Sequence, residues 1–238
     1  MWAFLSGIGL QMRLDMRSRS LLVTCYLVPL LFFAVMGGIF SSVMPEARAT
    51  LVQAMTVMGV SMGAFIGMPT LLAATYGTDV RRSYAAGGVP AWYPLAATML
   101  TTFVHLMVMA GIIGAVAPLA FDAVPPVDPA RYLASLALFT LASLAVGGVL
   151  GLAVRDQAKL TMAAQVLFLP SILLSGIMFP ASMLPDVLVA VGVLFPATQG
   201  FELMCATGGE GLGSALALAV VTVVALAACA VLVRRARE

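Results

Sequence analysis

The sequence predicts an all-α integral membrane protein: six transmembrane helices, an N-terminal interfacial helix, and an extracellular re-entrant hairpin between spans 5 and 6. Three observations carry this prediction. Of 238 residues, 62% are hydrophobic and 9% charged, a balance that excludes a water-soluble globule of this length. Six apolar runs recur at about 21–40, 51–75, 94–120, 132–154, 160–177 and 212–233. Each is close to the roughly 17–25 residues that cross a bilayer as a helix; the third is longer, as a tilted or partly interfacial helix would be. Finally, Arg13, Arg17, Arg19, Arg81, Arg82, Arg155, Lys159, Arg234, Arg235 and Arg237 fall on one side of these runs, and only Arg48 and Arg131 on the other. By the positive-inside rule both termini are cytoplasmic and the protein is multi-pass in the plasma membrane.

Taken in order, residues 1–20 put Trp2, Phe4, Leu5, Ile8 and Met12 near one helical face, with Arg13, Arg17 and Arg19 following. This suits a helix lying in the interface with its basic side toward anionic headgroups. Positive charge ahead of an apolar run, with Ala47-Arg48-Ala49 beyond it, also has the look of a secretory leader. The twenty residues of 21–40 exceed the roughly 7–15 of a leader's apolar region, so they are expected to stay as span 1. Pro29 and Pro69 fall inside spans 1 and 2, where each frees a carbonyl and kinks its helix.

Gly59, Gly63 and Gly67 recur every fourth residue in span 2, and Gly147 and Gly151 repeat the spacing in span 4. Such stripes let a neighbouring helix approach to backbone distance. Between spans 2 and 3, residues 76–93 form the largest cytoplasmic excursion. Thr78 or Asp79 caps a helix of about two turns there, ended by Gly87-Gly88 and Pro90. That helix is too small for an enzyme domain. It reads either as a peg for a partner or as a capped loop whose basic residues only obey topology.

The stretch that organises the C-terminal half is Leu169-Pro170-Ser171-Ile172-Leu173-Leu174-Ser175-Gly176-Ile177-Met178-Phe179-Pro180, followed by Leu184-Pro185 and Phe195-Pro196-Ala197-Thr198. An apolar helix stops at Ser175-Gly176, and the apolar run 187–195 is too short to span. Irregular backbone at membrane depth survives only where protein or a water-filled cavity satisfies its amides, so this hairpin lines or closes a pathway. An ordinary outer loop is the alternative. Residues 1–238 read as a single domain without internal repeat.

Chemistry is sparse. Gly59-Val60-Ser61-Met62-Gly63 matches G-x-S-x-G, and the lone histidine, His105, falls at similar depth in span 3. An intramembrane Ser–His hydrolase is therefore one alternative function, although the motif normally sits on a strand-to-helix turn rather than within an apolar helix. Interhelical hydrogen bonding is the other reading of both residues. One histidine and no intramembrane carboxylate cluster leave no basis for a metal site. Residues 208–214 carry the glycines of a phosphate loop without its lysine, so no ATP site is encoded. Cys25, Cys205 and Cys229 lack metal-ligand spacing and imply no disulfide framework; Cys205 falls in a predicted loop.

The run Ser175-Gly176, Phe179-Pro180, Leu184-Pro185 and Phe195-Pro196-Ala197-Thr198, set between the last two of six spans, resembles ABC-2-type transporter permeases. So does Arg81-Arg82-Ser83-Tyr84 with Gly88-Val89-Pro90-Ala91-Trp92 after span 2. The likeness covers essentially the whole chain; Tyr76-Gly77-Thr78 departs from it in lacking an acidic residue before the glycine. The resemblance implies a non-enzymatic transport subunit paired with a second permease, identical or homologous, and with separate ATPase subunits that carry ATP and magnesium. It implies that residues 78–86 are the coupling helix, with Thr78, Asp79, Arg81, Arg82, Ser83 and Tyr84 at the ATPase. It also implies that Ser175, Gly176, Phe179, Pro180, Leu184, Pro185, Phe195 and Pro196 form the outer gate, and that substrate is exported. Few charges and soft side chains such as Met55, Met58, Met62, Met99, Met107 and Met109 point to a drug, lipid-like compound or hydrophobic peptide. A non-catalytic channel or scaffold is the remaining alternative. No cofactor in this chain and no nucleic-acid partner are expected.

Overall fold

The computed structural model describes residues 2–76, 84, 86–178, 183–207 and 210–235. Among them the chain is helical: α1 Trp2–Asp15, α2 Arg19–Val43, α3 Leu51–Tyr76, α4 Tyr93–Phe121, α5 Pro129–Ala153, α6 Gln157–Leu173, α7 Asp186–Gly192, α8 Pro196–Cys205 and α9 Leu212–Arg235. Five of these, α2, α3, α4, α5 and α9, are long and apolar enough to cross a membrane. The pair α7 and α8, bent by 91°, passes the same test when taken together. Helix α6 lies a few residues earlier than expected: it runs from Gln157 to Leu173 rather than from 160 to near 177, and its 17 residues rise about 26 Å.

Helix starts follow local chemistry. Asp128 caps α5 by accepting the Ala130 and Arg131 N–H groups at 3.0 Å, and Asp156 caps α6 through the Lys159 N–H at 2.8 Å. Proline opens α5 and α8, where its missing N–H costs nothing. The two internal prolines act as their chemistry demands. Pro29 and Pro69 cannot bond to the carbonyls of Cys25 and Phe65, and each helix widens into a π-turn just before the proline, over Val23–Leu27 and Gly63–Gly67. The Val28 N–H reaches back to the Val23 carbonyl, and that of Met68 to Gly63.

Helix α3 is the most buried of the spanning-length helices. Along one side, Gly59, Gly63 and Gly67 receive α2 and α4. A Cβ at Gly59 would lie 2.7 Å from Met109 Cε and 3.3 Å from Pro29 Cβ; at Gly63, 3.4 Å from Cys25 Sγ and into Leu106; at Gly67, 2.9 Å from Thr24 Oγ1. The two π-turns thus pack against each other. On another side α5 closes in. A Cβ at Gly147 would overlap the Ala64 carbonyl oxygen, and one at Gly151 would sit 2.8 Å from the Pro69 oxygen.

These contacts also order the directions of the helices. Residues 24, 25 and 29 of α2 meet 67, 63 and 59 of α3, and residues 106 and 109 of α4 meet 63 and 59, so α2 and α4 run antiparallel to α3. Helix α5 runs parallel to α3, since Tyr132 donates to Thr56 at 2.9 Å and Gly147 meets Ala64. Helix α9 runs with α5: Arg131 donates to the Glu210 carbonyl at 2.6 Å at their starts, and Cys229 Sγ lies 3.6 Å from the Ala145 oxygen further along. Helix α6 and the bent pair must therefore return the chain from one end of the bundle to the other. One end then gathers Arg17, Arg19, Arg155, Lys159, Arg234 and Arg235. The opposite end gathers Glu46, Asp122, Asp128, Asp186, Glu202 and Glu210, with Arg48 and Arg131.

Helix α1 packs along the basic-end portion of α4. Gly7 abuts the Tyr93 ring, whose Cζ would be 3.0 Å from a Cβ there, and Asp15 faces His105. Helix α4 has 29 residues, a rise of about 43 Å against a hydrocarbon layer of roughly 30 Å, as a tilted helix has.

Candidate functional site

At the acidic end the predicted hairpin has two unequal arms. Helix α6 terminates over Leu174–Gly176: the Leu174 N–H bonds to Pro170, the Ser175 hydroxyl donates to the Ile172 carbonyl at 2.7 Å, and Gly176 takes a left-handed φ of 82° that suits glycine. Phe179 and Pro180 lie outside the described residues; Leu184 and Pro185 lead into α7. Helix α7 carries Val187, Leu188, Val189 and Val191 outward, all exposed within one chain, and Val193 and Leu194 extend the same surface. Its last residue, Gly192, rests on the end of α6, where a Cβ would be 2.8 Å from the Leu174 oxygen.

The second arm corrects the sequence expectation of a loop at Cys205. Residues Pro196–Cys205 are helix α8, turned into the bundle against α3, α5, α6 and α9. Pro196, Ala197, Thr198 and Gln199 are buried, with Phe195 half-buried at the bend. Gln199 Nε2 donates to the Val193 carbonyl at 2.9 Å and so holds the 91° elbow. Gly200 packs on the Phe139 ring, and Glu202 accepts from Ser214 at 2.9 Å, tying α8 to α9. Beside α8, a cavity of about 580 Å³ opens among Thr50, Gln53, Pro126, Tyr132, Met204 and Cys205.

At the basic end, Thr78, Asp79, Arg81, Arg82 and Ser83 lie outside the described residues. Tyr84 is half-buried and its carbonyl accepts from the Val89 N–H at 2.9 Å. The base of this excursion is stapled. The Tyr76 hydroxyl donates to the Ala91 carbonyl at 2.6 Å and accepts from the Leu95 N–H at 3.2 Å, so the chain leaves α3 and re-enters α4 at one point.

The Ser61–His105 dyad does not form. Ser61 Oγ is buried without a hydrogen-bond partner, whereas His105 Nδ1 lies 2.8 Å from the Tyr26 hydroxyl, with the two rings edge to face. Gly59 and Gly63, which would make the nucleophile elbow, sit instead under Met109 and Leu106. His105 belongs to a cluster that sequence reading missed. Asp15, 3% exposed, accepts from Gln11 Nε2 at 2.8 Å through Oδ1, and its Oδ2 faces His105 Nε2 at 4.0 Å. Neither of those facing atoms has another partner. In the tautomer that carries its proton on Nε2, Nδ1 accepts from the Tyr26 phenol and the ring proton points at the carboxylate. Gln11, Asp15, His105 and Tyr26 thus join α1, α4 and α2. The available signal was the i, i+4 pair of Gln11 and Asp15 on a helix otherwise read as surface-lying.

Buried glycine contacts, proline-driven π-turns, charge-segregated ends and a broken helical hairpin define a multi-span helical membrane domain. The family model of the ABC-2 family transporter protein matches residues 47–233. Since that is most of the chain, the protein belongs to the ABC-2 transporter family as a permease membrane domain, a non-catalytic transport subunit. No curated protein matches the chain.

Proposed function

We propose that residues 1–238 form one transmembrane domain of an ATP-driven exporter. Two permease subunits, identical or homologous, bind two separate ATPase subunits at the cytoplasmic side. ABC-2 permeases generally pair with ATPase subunits, and the charge-segregated ends support a plasma-membrane orientation with both termini cytoplasmic.

The observation that carries the reading is the path through α3. Its end at Tyr76 staples the base of the 77–90 excursion, and its body packs on α8 of the bent hairpin at the far end. Thr78, Asp79, Arg81, Arg82, Ser83 and Tyr84 are the ATPase contacts in this reading. Ser175, Gly176, Phe179, Pro180, Leu184, Pro185, Phe195 and Pro196 belong to the outer gate, and Gly59, Gly63, Gly67, Gly147 and Gly151 transmit because they leave no compressible side chain at the interfaces. ATP binding shifts the population between two arrangements only by its differential affinity for them.

A hydrophobic or amphipathic substrate fits the scarcity of charge. Met55, Met58 and Met109 do not support that assignment, because they are buried in the protomer's own core; it rests on the apolar faces left open, such as the outward side chains of α7. The test is ATP-dependent uptake of an amphipathic fluorescent dye into inside-out vesicles holding the permease and its ATPase. Uptake that requires hydrolysis and collapses with the detergent-permeabilised control supports export. Equal dye signal with a hydrolysis-dead ATPase contradicts it.

A further inference from the structure

We infer that the cleft between α4 and α9 at the basic end is a binding site for one anionic phospholipid. The two helices both lean on α5 at Gly148, where a Cβ would be 3.1 Å from Cys229 Sγ and 3.6 Å from Leu95 Cδ1. Above that floor they leave a cavity of about 450 Å³ whose walls include Leu95, Met99, Leu226 and Val233. Ala230, Trp92 and Arg234 also line it, and among the described residues no acidic one is part of the lining.

The dimensions select the occupant. From Trp92 to Met99, and from Leu226 to Arg234, the walls rise about 10–12 Å. That is roughly a third of the hydrocarbon thickness: enough for the upper part of one acyl chain in one leaflet, too shallow for a partner's spanning helix. The chemistry selects the headgroup. Trp92 is half-exposed beside the first turn of α4, where an indole favours the interface between headgroups and tails. Arg234 and Arg235 end α9, both exposed. A helix C-terminus by itself repels anions, so the guanidinium groups must supply the attraction. Arg234 lays its stem along the apolar wall while its planar fork meets a phosphate, and basic pockets between spanning helices are known takers of anionic headgroups.

The experiment uses the full chain, purified in mild detergent and supplied with palmitoyl-oleoyl phosphatidylglycerol or the matching phosphatidylcholine, with retained lipid counted by native mass spectrometry. Wild type is expected to keep phosphatidylglycerol in preference to phosphatidylcholine. Arg234→Gln should weaken the retained phosphatidylglycerol about five-fold and leave phosphatidylcholine unchanged. Ala230→Trp, which fills the cleft, should lower retention of both. Equal retention of the two lipids by wild type overturns the site, and so does a phosphatidylglycerol preference that survives Arg234→Gln. The second comparison stands even where Ala230→Trp fails to fold, because Arg234 is exposed.

Discussion

Removing His105 should damage the protein far more than neutralising the carboxylate it faces. Asp15 is 3% exposed, and its Oδ2 has only the His105 Nε2, 4.0 Å away, to offset the loss of water. At 4.0 Å the contact is too long for a hydrogen bond. In His105→Leu the carboxylate keeps Gln11 alone, and an uncompensated buried charge typically costs about 3–5 kcal/mol. The Tyr26 hydroxyl also loses its partner, adding about 1 kcal/mol. Asp15→Asn behaves differently: its amide can still pair with Gln11 and no buried charge is left behind, so about 1 kcal/mol is lost. Thermal unfolding of the purified chain should show a midpoint drop on the order of 10 °C for His105→Leu and a few degrees for Asp15→Asn. The double variant should be more stable than His105→Leu alone, a coupling that only interacting residues give. Equal and additive losses would refute the argument, since they would mean that the carboxylate carries no buried charge dependent on His105.

Gly147→Ala should abolish folding or assembly, because the new methyl meets the Ala64 backbone rather than a side chain able to move. Gly111→Ala, with nothing within 4 Å of its Cβ, should be neutral or stabilising by up to about 1 kcal/mol; detergent-solubilised yield and unfolding midpoint separate the two. Ser61→Ala should leave transport intact and stability unchanged or slightly higher, since the hydroxyl it removes is buried and unpartnered; a specific loss of transport would restore a chemical role for Ser61. Tyr76→Phe should cost about 1–2 kcal/mol through two lost hydrogen bonds, and should lower ATP-driven transport while the ATPase still co-purifies. Gln199→Ala should loosen the elbow, read as faster thiol labelling of Cys205 at the end of α8, with about 1 kcal/mol of stability lost.

Much of the architecture was legible because the bilayer permits so few backbone solutions. The apolar runs located α2, α3, α4, α5 and α9 to within a few residues, and Pro29 and Pro69 marked where helix geometry would change. What hydropathy could not see was α8. Its Pro-Ala-Thr-Gln-Gly-Phe-Glu sequence mixes small, polar and apolar residues, and its burial comes from Phe139 and the walls of α5 and α9, which are distant in sequence. Asp15 was hidden for the same reason: a carboxylate two residues from Arg13 and Arg17 reads as surface charge until α4 supplies His105. Conversely, G-x-S-x-G proved a poor guide, since the spacing of four that makes the motif also makes a packing stripe in a helix, and Met109 and Leu106 occupy the space a nucleophile would need.

In the proposed function this permease takes its ATPase through the excursion stapled by Tyr76. The most direct test is co-expression with candidate ABC-type ATPase subunits from the same genome, purification through a tag on this chain alone, and assay of the ATPase activity that comes along. Activity should co-purify with wild type and be lost or sharply reduced in Arg81→Glu/Arg82→Glu, with the permease still correctly inserted. A correctly inserted wild-type chain that brings no ATPase, or a charge-reversed chain that brings as much as wild type, would contradict the claim.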